Sequence, residues 1–135
     1  ADLLVGCKSN GVSLGWVTTT LDRNINAIRK ALHQQFDFNL FDIITTIDDC
    51  DVAKPEPEIY HKAISMLNVT ATGAVAIEDS SSGVAAAKAA TIQCIAAPGD
   101  LKGSQDFSAA NICVSDLSCV KAIGEQAGAV TLSIN

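Results

Sequence analysis

Apolar positions along this chain change repeatedly between a helical spacing and short continuous runs. Residues 2–9 read as a helix stopped by Asn10-Gly11, and Leu14 to Val17 as a short apolar strand. Thr18-Thr19-Thr20 then lead into a helix from Asp22 to Phe36, where Ile25, Ile28, Leu32 and Phe36 recur at helical intervals. Phe41 to Ile47 predicts a second strand. An acidic loop and a helix from Pro55 to Leu67 follow, with proline in the first turn. Ala74 to Ile77 predicts a third strand, Ser81 to Ala90 a helix, Ile92 to Ala97 a fourth strand and Asn111 to Ser115 a fifth. Asp116 to Gln126 predicts one more helix. Val130, Leu132 and Ile134 then alternate with polar residues, which suits an edge strand in the tail 129–135. Strands apolar on both faces and separated by helices predict an α/β three-layer sandwich with a mostly parallel sheet, covered on both sides.

Composition narrows this picture. A length of 135 residues with 48% apolar content suits one domain over 1–135 with a core of its own. A charged fraction of 18% argues against long disordered tails. The net charge of −6 argues against nucleic acid, whose phosphates select basic faces. Ser80 to Pro98 is the one stretch with the apolar character of a membrane span. Its Lys88, Gln93 and hydroxyls fit a helix and a strand better. With no basic-then-apolar leader at Ala1, the expected location is cytoplasmic. Cys7, Cys50, Cys94, Cys113 and Cys119 are odd in number and lack metal-ligand spacing. They are expected to be reduced and structural, Cys94 and Cys113 serving as small hydrophobes in strands.

The candidate chemistry lies at the expected carboxyl ends of strands. Thr18 follows the first strand and precedes a helix, where its hydroxyl either seats a phosphate oxygen or caps the helix. Lys54 ends the loop Asp48-Asp49-Cys50-Asp51-Val52-Ala53. Pro55 and Pro57 stiffen the chain after it, so its ammonium is either held in place or an ordinary surface charge among acids. Glu78 and Asp79 end the third strand. They either share a hard cation such as magnesium or complement the dipole of the next helix. His33 and His61 have no partner at ligand spacing and read as surface or boundary residues.

The order strand-Thr18, then Lys54-Pro55-Glu56-Pro57-Glu58, then strand-Glu78-Asp79-Ser80-Ser81-Ser82-Gly83-Val84 resembles the haloacid dehalogenase superfamily. The likeness is to its β-phosphoglucomutase and phosphoglycolate phosphatase branch and covers residues 2–122. It implies a Rossmann-like domain of a phosphatase or phosphomutase acting on small phosphorylated metabolites. Thr18, with Thr19 beside it, matches the phosphate-binding motif, Lys54 the phosphate-binding and catalytic lysine, and Glu78 and Asp79 the acidic pair that holds Mg2+. A response-regulator receiver, which also uses carboxylates, a hydroxyl and a lysine, places its acids before the threonine and lysine and fits less well.

The departure from the family is at the start. Members open with a strand ending in Asp-x-Asp, whose first aspartate is the nucleophile, and a cap usually follows. Here residues 2–8 already resemble the helix after the cap. Asp49-Cys50-Asp51 has the spacing but follows the wrong strand. The resemblance therefore implies a chain that lacks the central strand and is inactive alone, or else a non-catalytic domain binding an anion or a partner. A missing central strand would leave a gap of roughly 10 Å between the Thr18 and Glu78 strands. The expected remedies are direct pairing of those two strands or burial of their edges in a homodimer, the dimer being slightly favoured.

Overall fold

The computed structural model describes residues 2–99, 103, 105–126 and 129–134, with positions 123–126 and 129–134 described by backbone alone. Positions 1 and 135 of the expected domain and tail lie outside the described residues. The elements run α1 (Asp2–Ser9), β1 (Gly15–Trp16), α2 (Asp22–Leu32), β2 (Ile43–Ile44), α3 (Glu58–Met66), β3 (Val75–Glu78), α4 (Ser81–Ala89), β4 (Gln93–Ala96), β5 (Ile112–Cys113), β6 (Val120–Gln126) and β7 (Ala129–Ile134). β1 and β2 pair in parallel, and β3-β4-β5 form a second parallel sheet with Ile77 opposite Ile95 and Ile95 opposite Ile112. The fold is α/β with parallel sheets, as the alternating pattern predicts.

Each face of the second sheet has its own cover. On one side α3 and α4 bring Ile59, Tyr60, Val84, Ala86 and Ala87 onto Ala76, Cys94 and Ala96. Alanines along α4 let its backbone lie close to the sheet, and Val84 and Ala87 are almost wholly buried. On the other side Ile95 packs with Val114 and Val120, supported by Leu3 of α1. This cover does not extend to β3, whose Val75 and Ile77 remain 47% and 36% exposed. The expected two-sided burial therefore fails for β3, a strand with one partner at the edge of its sheet. Cys113 is exposed as well, against expectation, because β5 forms the opposite edge and Ile112 beside it is uncovered.

The expected helix over 116–126 is a strand. Asp116 accepts from the Ser118 amide and starts a single 3-10 turn, Leu117–Cys119, which leaves Val120 extended at φ −100°, ψ 126°. β6 then pairs antiparallel with β7, Val120 opposite Ile134 and Ala122 opposite Leu132, with a register shift between Ala122 and Glu125. Gly124 lies at that shift, where a glycine weakens a helix and suits a bulge. The alternating tail is thus matched to β6 and does not enter the space between β1 and β3. Nor do those two strands pair with each other, since β1 bonds to β2 and β3 to β4.

Two helix ends also move. α2 stops at Leu32 because Phe36 joins Trp16, Phe38 and Phe41 in an aromatic cluster, with ring centroids of Phe36 and Phe38 4.9 Å apart. α3 begins at Glu58 and not at Pro55. Glu56 precedes a proline, which disfavours helical backbone there, and its amide closes a turn onto Ala53 O at 3.1 Å. The Lys54-Pro55 peptide is cis. No helix among the described residues is long and apolar enough to cross a membrane.

Candidate functional site

The ends of β1 and β3 belong to different sheets, and one side chain ties them together. Lys54 Nζ donates to Val17 O at 3.0 Å and to Glu78 Oε1 at 2.5 Å. The lysine and glutamate side chains are only 12% and 8% exposed, so this is a sheltered ion pair. Lys54 reaches it from a loop that is itself held. Glu58 of α3 turns back so that its carboxylate accepts from the amides of Asp51 and Val52 at 2.8 and 2.9 Å. Those two bonds hold the Glu58 carboxyl below its ordinary range.

Glu78 is enclosed on several sides. The Tyr60 hydroxyl also donates to Oε1, and the Lys54 ammonium lies 5.0 Å from the Tyr60 ring centroid. The remainder of the carboxylate lies against Gly83 in the first turn of α4, where a built Cβ would overlap Oε2 and the carboxyl carbon. Burial, and after it the Glu78 charge, pushes the Tyr60 hydroxyl far above the ordinary tyrosine range. The same two influences push the Cys94 thiol up to about 11.

Thr18 sits beside this pair, one residue after the carbonyl that Lys54 holds. Its amide donates to Thr45 Oγ1 at 3.1 Å, and the Thr45 hydroxyl donates back to Thr18 O at 3.2 Å. Thr45 is fully buried and fixes the Thr18 backbone from β2's carboxyl end. The Thr18 hydroxyl accepts from the Thr20 amide at 3.2 Å, and its own proton has no acceptor among the described residues. The N-cap of α2 is Leu21, with no side-chain bond, so Thr18 does not cap that helix. Thr19 is half-buried next to it.

The acidic pair divides into two environments. Glu78 is buried and engaged, whereas Asp79 is exposed. Capping of α4 falls to neither: Ser80 accepts from the Gly83 amide at 3.1 Å. Hard carboxylate oxygens suit magnesium in kind, but such an ion takes about six oxygen ligands. Among the described residues no group of three or more His, Cys, Asp or Glu is placed to hold a metal. These residues do not by themselves make a complete magnesium site. In the acidic loop, Asp49 accepts from the Thr46 amide at 2.8 Å in a capping box, and Asp48 and Asp51 are exposed. His33 and His61 are exposed too.

Thr18, Lys54 and Glu78 are thus brought together at one end of the two sheets, with Asp79 adjoining. Sequence reasoning did not single out Tyr60 or Thr45. Both come from elements packed behind the motifs, and no spacing rule links them to the residues they hold.

Residues 1–97 match the family model of the haloacid dehalogenase-like hydrolases. Protein CbbY of Rhodobacter capsulatus is 32% identical over 118 residues, which is 87% of this chain and 52% of that protein. The crystal structure of CbbY from Rhodobacter sphaeroides in complex with xylulose-(1,5)-bisphosphate superposes with a TM-score of 0.79 at 34% identity, over 87% of this chain and 52% of that one. A putative β-phosphoglucomutase from Thermotoga maritima gives 0.70 at 30% identity, over 84% and 52%. The chain spans about half the length of these relatives. With residues 1–97, more than two thirds of its length, matched to this family model, the chain belongs to the haloacid dehalogenase-like hydrolases.

Proposed function

We propose that these residues form the phosphate-holding part of a phosphohydrolase or phosphomutase acting on a small phosphorylated metabolite. One observation carries the reading. Lys54 is sheltered and fixed at the carboxyl ends of β1 and β3, next to the free hydroxyl proton of Thr18. A positioned ammonium and hydroxyl are what a phosphoryl group needs, because transfer relies on placement and on charges already aimed at its oxygens. The family supports the reaction class, and the bisphosphate held by the related CbbY supports a phosphorylated sugar as ligand.

Magnesium, where bound, supplies charge that offsets the phosphoryl oxygens, and Asp79 is the member of the acidic pair left open to it. Transfer through an acyl phosphate, the route the family resemblance implies, needs a carboxylate nucleophile as well. Of the two carboxylates gathered here, Glu78 is engaged by Lys54 and Tyr60 and Asp79 is assigned to the ion, so neither is left to serve. Residues 1–135 taken alone are therefore proposed to bind phosphate without turning it over.

Inorganic phosphate titrated into the 135-residue chain tests both parts. Saturable binding should appear and weaken by about tenfold or more in Lys54→Ala, the loss of one charge-assisted hydrogen bond. No magnesium-dependent hydrolysis of a generic phosphate ester should exceed background. Phosphate binding indifferent to Lys54 would reject the site, and turnover abolished by Asp79→Ala would reject the inactivity of the isolated chain.

A further inference from the structure

The two neighbouring acids at the end of β3 invite a single role, yet their surroundings assign them different ones. We propose that Glu78 serves Lys54 and not a cation, and that the Tyr60 hydroxyl completes the same buried device for positioning the lysine. The proposal rests on the phosphate-holding reading of Lys54 and assigns what aims that ammonium.

Three observations converge on it. First, Glu78 Oε1 already receives two donors, Lys54 Nζ and the Tyr60 hydroxyl. A cation at that oxygen would have to displace one of them or stand beside the ammonium, where like charges repel. Second, Oε2 and the carboxyl carbon lie against Gly83, in the volume that a side chain there would take. The two bonds to Oε1 hold the group in that orientation. Third, the Tyr60 ring contributes beyond its hydroxyl: it lies under the Lys54 ammonium at 5.0 Å and is almost fully buried in α3. A ring face attracts a cation, so Tyr60 draws both charges of the pair into one place.

The consequence is positional. A lysine has four rotatable bonds, and its ammonium would sample a wide volume at the end of a free side chain. Val17 O, Glu78 Oε1 and the Tyr60 ring fix it from three directions beside Thr18. Tyr60 is a positioning residue, acting on phosphate only through Lys54 and Glu78. Asp79 has none of these partners and is the acid available to an ion.

Lysine ammonium NMR on the 135-residue chain reads this directly. A protected Lys54 ammonium signal, assigned by its disappearance in Lys54→Arg, is expected in the wild-type chain. In Tyr60→Phe, which keeps the ring, its protons should exchange about tenfold faster, the scale of one lost buried hydrogen bond. In Glu78→Gln the signal should be lost. Magnesium alone should leave the Glu78 carboxyl carbon in place, whether or not it shifts that of Asp79.

A Lys54 signal missing from the wild-type chain, or unchanged in Tyr60→Phe, overturns the proposal. So does any magnesium-induced displacement of the Glu78 carboxyl carbon. Should Glu78→Gln fail to fold, Tyr60→Phe and the magnesium titration still decide. A phosphate titration on the same sample separates the two readings: an intact Lys54 signal with no phosphate binding would break the phosphohydrolase reading alone.

Discussion

Gly83 leaves empty the volume that the Glu78 carboxylate fills. In an exposed helix, replacing glycine by alanine gains about 0.5–1 kcal/mol. Here the added methyl would strike a carboxylate that Lys54 and Tyr60 prevent from swinging away. Overpacking of this kind costs about 1–3 kcal/mol, so the sign reverses. Thermal unfolding should show Gly83→Ala less stable than wild type, and an increase in melting temperature would contradict the packing described.

The Lys54–Glu78 pair makes a second prediction. Lys54→Met removes the ammonium and leaves a buried carboxylate without its counter-charge, a loss of about 3 kcal/mol. Adding Glu78→Gln removes that orphaned charge and should restore part of the stability, with a coupling of about 1–3 kcal/mol between the two sites. Denaturant unfolding of the two single variants and the double variant measures this. Additive losses would mean that the two side chains do not interact.

Glu58 gives the loop before Lys54 a pH dependence. Its folded carboxyl is lowered by the Asp51 and Val52 amides, so its contribution is complete above the ordinary value near 4.5. That contribution is lost as pH falls through the lowered value. The Asp51 and Val52 amide resonances should hold steady above pH 5 and move together well below 4.5, and Glu58→Gln should abolish the transition. Amides insensitive to pH over this window would place the carboxylate elsewhere.

The thiols should differ in reactivity. Cys113 is exposed, whereas Cys94 is buried with its thiol pushed up to about 11, and Cys7 is raised by burial. The thiolate is the reactive form, so a maleimide should label Cys113 early and reach Cys94 only after unfolding. Peptide mapping of a brief labelling reaction gives the order, and early modification of Cys94 would refute its burial.

Much of this site could be read in advance because its residues sit where a strand ends and a loop begins. β3, α4 and β4 fall within a residue or two of their expected bounds, since a short apolar run and an alanine-rich helix carry unambiguous local signals. Lys54 was visible from the prolines around it. Tyr60 was not, because a tyrosine at an apolar helix position looks the same whether its hydroxyl meets water or a carboxylate. Thr45 was hidden for a related reason: inside a strand-like run, nothing local shows that its hydroxyl holds Thr18 from the neighbouring strand. The misread helix over 116–126 has another origin. Leu117, Val120 and Ile123 keep helical spacing, but residues 120–126 pair with β7, whose demand for a partner acts from outside any local window.

The packing of α1 against β6 has a bearing on how the chain is made. A Cβ at Gly6 would lie 3.6 Å from the Ala122 side chain, so an early helix meets a strand more than a hundred positions later. Synthesis at roughly 5–20 residues per second leaves α1 without that cover for on the order of ten seconds. During that interval the half-sites around β1 and β3 can form, while Ile95 still waits for Val120. Val120 and Ala122, made well after α1 and β4, therefore close the core over segments that already stand in place.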